Sequence, residues 1–105
     1  MSAPRYVVVW STTDGLGENV LLRNGAWTSP GSAISIYDDR AFCGTILQAE
    51  ARIANHGTGR AERVEDFVAR HIDLGGAYWR QRAAKGLHRA PLEPTVELVV
   101  AEWRR

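Results

Sequence analysis

A small α+β fold is predicted by three observations. An uninterrupted apolar run, Tyr6-Val7-Val8-Val9-Trp10, opens the chain; an Asn24-Gly25 dipeptide separates two further strand-like stretches; and after residue 40 the apolar residues recur at helical spacing. Strands come first, helices come next and a strand-like stretch closes the chain, which differs from the strict alternation of a doubly wound sheet. The expected architecture is a small antiparallel sheet, N-terminal strands plus a C-terminal strand, packed on one face by two to three helices, in a single domain over 1–105.

Each element has its own signal. The first strand, within 5–11, is rich in β-branched and aromatic side chains and runs into the turn-prone Thr13-Asp14-Gly15. A second strand at 19–23 should close a hairpin on 26–28, because Asn24-Gly25 tolerates the two positive φ values of a type I′ turn. Ser29-Pro30-Gly31-Ser32 reads as a loop, and Ala33 to Tyr37 alternates Ile34 and Ile36 against Ser35, a short half-buried strand. Asp38 or Asp39 then caps a helix over 40–56, whose Phe42, Ile46, Ala49 and Ile53 fall on one face, with Gly57 as its left-handed terminator. A second helix covers 61–72, with Val64, Phe67, Val68 and Ile72 inward, and stops at Gly75-Gly76. A shorter third helix over 77–85 ends at Gly86, and Pro91 and Pro94 keep the next stretch of chain extended. Residues 95–103 form the last strand, with Val96, Leu98 and Val100 on one face and Glu97, Val99, Ala101 and Trp103 on the other.

The 105 residues carry 13 Lys+Arg against 12 Asp+Glu, a formal charge of +1, with 45% apolar side chains. A chain of this size supports one core, which excludes a cofactor domain joined to a substrate domain, and its composition excludes a disordered polypeptide. The balanced charge argues against a duplex DNA binder, which needs a concentrated basic surface. Cys43 is the sole cysteine and has no intramolecular disulfide partner, and the run at 6–10 is too short for a membrane span or signal segment. A cytoplasmic location with no membrane association is the expectation.

Tyr6-Val7-Val8-Val9, Val20-Leu21-Leu22, Asn24-Gly25-Ala26-Trp27-Thr28, Ala33, Ile36-Tyr37, Asp39 and Ala41 together resemble a pattern found in small phage and prophage proteins. In these a hairpin ends in a Gly-x-Trp-Thr element and leads to a capped helix. The resemblance covers about half the chain. It implies an accessory protein of a mobile element, a group rich in non-catalytic inhibitors of host machinery such as anti-CRISPR proteins, and it carries no functional residues with it.

No reaction centre assembles from the sequence. Asp14-Gly15-Leu16-Gly17 begins like a phosphate-binding turn, but the next element reads as a strand, whereas such a turn needs a helix N-terminus to point N–H groups at the anion. His56, His71 and His88 lie 15 and 17 residues apart, without metal-ligand spacing, so no metal or cofactor is expected. His56 suits the C-terminus of its helix, and His71 borders an apolar stripe. Cys43, beside Phe42, reads as a small buried hydrophobe, since a nucleophile would need a base and an electropositive setting that the sequence does not display. Glu62, Glu65 and Asp66 read as a solvated face, with Asp66 and Arg70 at pairing distance along the helix.

One segment stands apart. Between Leu74 and Leu92 there is no acidic residue, while Arg80, Arg82, Lys85 and Arg89 are all basic and Tyr78-Trp79 precedes them. Arginines pair bidentately with phosphate or carboxylate, and an adjacent aromatic ring can stack on a base or anchor an interface. Tyr78, Trp79, Arg80, Arg82, Lys85 and Arg89 are therefore the candidate binding residues, against the alternative that an aromatic of the pair belongs to the core and the basic residues are merely solvated. The partner could be a host protein or protein–nucleic acid complex, or RNA or single-stranded DNA. Of the four tryptophans, Trp10 is expected in the core, and any of Trp27, Trp79 and Trp103 that proves exposed would be a candidate contact residue.

Overall fold

The computed structural model describes residues 4–11, 17–31, 41–86, 93 and 95–103, and of residues 74, 78, 82 and 102 the backbone alone. Four strands, β1 (Tyr6–Ser11), β2 (Glu18–Leu21), β3 (Trp27–Thr28) and β4 (Arg60–Arg63), form an antiparallel sheet in the order β3-β2-β1-β4. Among the described residues three helices accompany them in full, α1 (Ile46–His56), α2 (Val64–Ala84) and α3 (Val96–Trp103). The fold is α+β.

The Tyr-Val-Val-Val-Trp run accounts for the layering. Successive strand residues point to opposite faces, and Val7, Val8 and Val9 are all fully buried, so both faces of β1 must be covered. Val7 and Val9 enter a core with Val20, Val64, Phe67, Val68, Trp79, Val99, Val100 and Trp103, on the side of α2 and α3. Val8 enters a second core with Leu21, Phe42 and Ala49, flanked by Trp27 and Ile53, on the side of α1. The expectation of helices on one face alone is thus corrected: an apolar run without alternation signals a strand covered on both sides.

The hairpin forms as expected but turns differently. Gly25 N–H donates to the Leu22 carbonyl and Leu22 N–H to the Ala26 carbonyl, a three-residue loop with Gly25 at φ 92 instead of a two-residue type I′ turn. Asn24 stabilises it by accepting from Ala26 N–H at 2.9 Å.

Residues 41–44 run extended where helix was expected. Ala41 bridges Leu22 and Gly44 bridges Tyr6, filling the gap that opens between the start of β1 and the end of β2. The helix begins at Ile46, because Thr45 and Gln48 form a reciprocal capping box: Thr45 Oγ1 accepts from Gln48 N–H and Gln48 Oε1 from Thr45 N–H. Gly57 ends it as expected, left-handed at φ 74, its N–H on the Ile53 carbonyl. The strand expected at 33–37 and the caps Asp38 and Asp39 lie outside the described residues.

Three further corrections have physical causes. Residues 60–63, expected in part as helix, pair with β1 in the register Tyr6↔Arg63, Val7↔Glu62, Val8↔Ala61 and Val9↔Arg60. An edge strand made of charged residues has no apolar alternation to betray it. Gly75-Gly76 does not end a helix. Both residues are buried and α2 continues through them to Ala84, so burial of the helix against its neighbours outweighs a propensity cost of about 1 kcal/mol per glycine. The closing strand is in fact α3. Val96, Val99, Val100 and Trp103 also satisfy helical spacing, which short apolar segments cannot distinguish from a strand, and Thr95 Oγ1 accepts from Leu98 N–H at the helix start. Arg23 reaches from the hairpin turn to donate to the Trp103 carbonyl at 3.1 Å, favourable for a cation at a helix C-terminus.

Candidate functional site

Two polar regions are assembled by this fold. On the α2 side, β2 contributes Glu18, β4 contributes Arg60 and Glu62, and α2 contributes Arg70 and His71. Arg70 donates to Glu62 from Nε at 3.0 Å and from Nη2 at 2.7 Å, and its Nη1 lies 2.7 Å from Glu18. Arg60 joins Glu18 at 3.1 Å and Glu62 at 3.4 Å. His71 Nε2 reaches Glu18, and its ring packs against Phe67 at 4.9 Å between centroids. Burial pushes the Glu18 carboxyl up, but hydrogen bonds from His71, Arg70 and Arg60, together with the Arg70 charge, outweigh it and bring the group down to about 2. Glu18 is thus an ionised anchor for two arginines and a histidine. Each of these groups already has its partner inside the protein, an arrangement that holds α2 on the sheet.

On the other side, α1 lies over Val8 and Leu21 through Ala49 and Ile53. Its outward surface carries a narrow apolar stripe between exposed Glu50 on one flank and exposed Gln48 and Asn55 on the other. Leu47 is 74% exposed and Ile46 39%, and Leu47, Ala51 and Ala54 succeed one another at helical spacing, all exposed. Beside this stripe an open pocket of about 540 Å³ is lined by Arg5, Arg23, Phe42, Cys43, Gln48, Ala51 and Arg52. Three separate segments bring its arginines together: the approach to β1, the hairpin turn and the second turn of α1. The Arg52 guanidinium sits 4.8 Å from the centroid of the Phe42 ring, within cation–π range. Among the described residues no carboxylate lies within 4 Å of any of the three guanidinium groups, in contrast to Arg60 and Arg70. Cys43 is half-buried in this setting, so the electropositive surroundings that its sequence neighbours do not display are supplied by distant arginines.

The basic and aromatic segment singled out in the sequence is divided by the structure. Trp79 is fully buried, which removes it as a stacking or contact residue. Arg80 is exposed and lies 3.5 Å from the exposed Glu93; Lys85 is exposed at the end of α2. The side chains of Tyr78 and Arg82, and all of His88 and Arg89, lie outside the described residues. Trp103 is buried as well. Trp10, expected in the core, is half-buried and packs 6.0 Å from half-buried Trp27, which meets His56 edge-on at 5.5 Å.

Sequence reasoning missed both assembled regions. Arg70 turns to Glu62 and Glu18, not to Asp66, and the partners of the ion network come from three elements. Among the described residues no group of three His, Cys, Asp or Glu side chains is arranged to hold a metal ion, and no helix is long and apolar enough to cross a membrane. Compared with models of known protein families, with curated proteins and with solved structures, the chain finds no match.

Proposed function

We propose that the protein is a non-enzymatic binding protein of a phage or other mobile element, and that it acts by occupying a surface on a host macromolecular assembly with the outer face of α1. The observation that carries this reading is the Leu47-Ala51-Ala54 stripe: the helix is apolar on the face that meets the sheet and carries a second, narrower apolar stripe, flanked by Gln48, Glu50 and Asn55, on the face left to water. Covering a leucine such as Leu47, 74% exposed, is worth about 1.5–3 kcal/mol, and an apolar stripe on a folded helix is a common anchor for a partner's groove. The resemblance of the hairpin and its flanking residues to phage proteins supplies the biological setting. A single-stranded nucleic-acid module built on residues 78–89 is the weaker reading, because Trp79 cannot stack from within the core.

The test is affinity capture from nuclease-treated host lysates with the wild type and Leu47→Glu. Retention of a stoichiometric protein by the wild type, lost in the variant at unchanged thermal stability, supports the reading. Capture of nothing across plausible hosts, or equal capture by Leu47→Glu, overturns it. Capture that disappears with nuclease alone transfers the function to nucleic acid.

A further inference from the structure

We infer that the pocket of Arg5, Arg23 and Arg52 is a binding site for a small phosphorylated molecule, with the phosphoryl group held by the guanidinium groups. This goes beyond the docking role of α1 and stands whether or not that helix meets a protein.

The lining offers donors and almost no acceptors. Each guanidinium carries five N–H groups. Arg23 commits one Nη to the Trp103 carbonyl, and Arg52 is held over Phe42, so two of the three arginines are positioned before any ligand arrives. Gln48 has its Oε1 occupied by Thr45 N–H, which leaves its amide N–H groups as further donors. A carboxylate, with two oxygens, satisfies one guanidinium fork; three arginines match the three terminal oxygens and higher charge of a phosphate monoester. The volume of about 540 Å³ falls among small-molecule sites and exceeds what bare phosphate fills. Phe42 and Ala51 supply apolar wall for the remainder of the ligand.

The fold also explains why these positive charges tolerate one another. They project at an open rim where water screens their repulsion, while the acidic residues of β2 and β4 are already engaged by Arg60 and Arg70. An anion entering the pocket meets no carboxylate among the described lining residues.

The experiment is calorimetric titration of the purified protein at fixed ionic strength with inorganic phosphate, pyrophosphate and citrate, each repeated on Arg5→Gln, Arg52→Gln, Arg52→Lys and the distant control Arg80→Gln, with thermal unfolding of every variant. Saturable binding of phosphate and tighter binding of pyrophosphate are expected. Arg5→Gln and Arg52→Gln should each weaken them about tenfold, the loss of one charge-assisted contact, Arg52→Lys should not restore the loss, and Arg80→Gln should leave binding unchanged. No saturable binding of phosphate or pyrophosphate overturns the site. So does binding equally weakened by Arg80→Gln, which marks diffuse electrostatics, or preference for citrate, which replaces the phosphoryl ligand with a carboxylate one.

Discussion

His71 and Glu18, 53 residues apart in sequence, meet at 2.5 Å between Nε2 and Oε1 and fasten α2 to the start of β2. The contact is one of several that hold Glu18 ionised, and it predicts a specific dependence of stability on pH. The folded-state value, about 2, lies below the ordinary 4.5. The stabilisation from Glu18 is therefore complete above the ordinary value and is lost as pH falls through the folded value. Glu18→Gln should cost about 1–3 kcal/mol near neutrality, the lower end reflecting the solvent around both arginines. Urea unfolding of wild type and variant from neutrality downward checks this: the gap between the two should close in acid, and a constant gap would show that Glu18 acts through packing alone.

Trp79 separates a core residue from a recognition residue. Its full burial predicts that Trp79→Ala loses about 3–5 kcal/mol, measured by denaturant unfolding, with loss of near-ultraviolet circular dichroism. Arg80→Ala, one residue along and exposed, should leave the unfolding midpoint unchanged.

Two glycines should respond oppositely to a methyl group. At Gly76 an added Cβ would meet the flexible end of Arg80 at 3.4 Å, an ordinary contact, so Gly76→Ala should raise stability by about 0.5–1 kcal/mol through helix propensity. At Gly59, φ is +115 and the Cβ would stand 3.0 Å from Val8 Cγ1, so Gly59→Ala should lower stability by more than about 1 kcal/mol. Thermal unfolding of the two variants gives the sign directly.

The capping box predicts that Thr45→Ala costs about 1 kcal/mol, because Gln48 N–H loses its acceptor. Hydrogen exchange should show the loss concentrated in the first turn of α1. If that turn also presents Leu47 to a partner, Thr45→Ala should weaken capture.

Legibility in the sequence tracks the range of the physics involved. The hairpin, the Gly57 stop, the Gly86 stop and the buried strand at Val7-Val8-Val9 rest on local rules that apply directly to neighbouring residues. The capping box at Thr45 and Gln48 is equally local, and it is masked by the stronger-looking stripe that places Phe42 on the helix. The strand–helix ambiguity at Val96 to Trp103 arises because valines at both periods satisfy either pattern, and tertiary contact with Phe67 decides. Arg5, Arg23 and Arg52 each read alone as a solvated surface residue; only the closing of β1, the hairpin and α1 upon one another makes a pocket of them.

The charged strand Arg60-Ala61-Glu62-Arg63 is the outermost member of its side of the sheet, and a bare strand edge invites another backbone to zip on. Here a newcomer would settle beside carboxylates and guanidiniums already locked to α2 and β2, with little apolar surface to reward it. That flank is closed to ribbon-like growth.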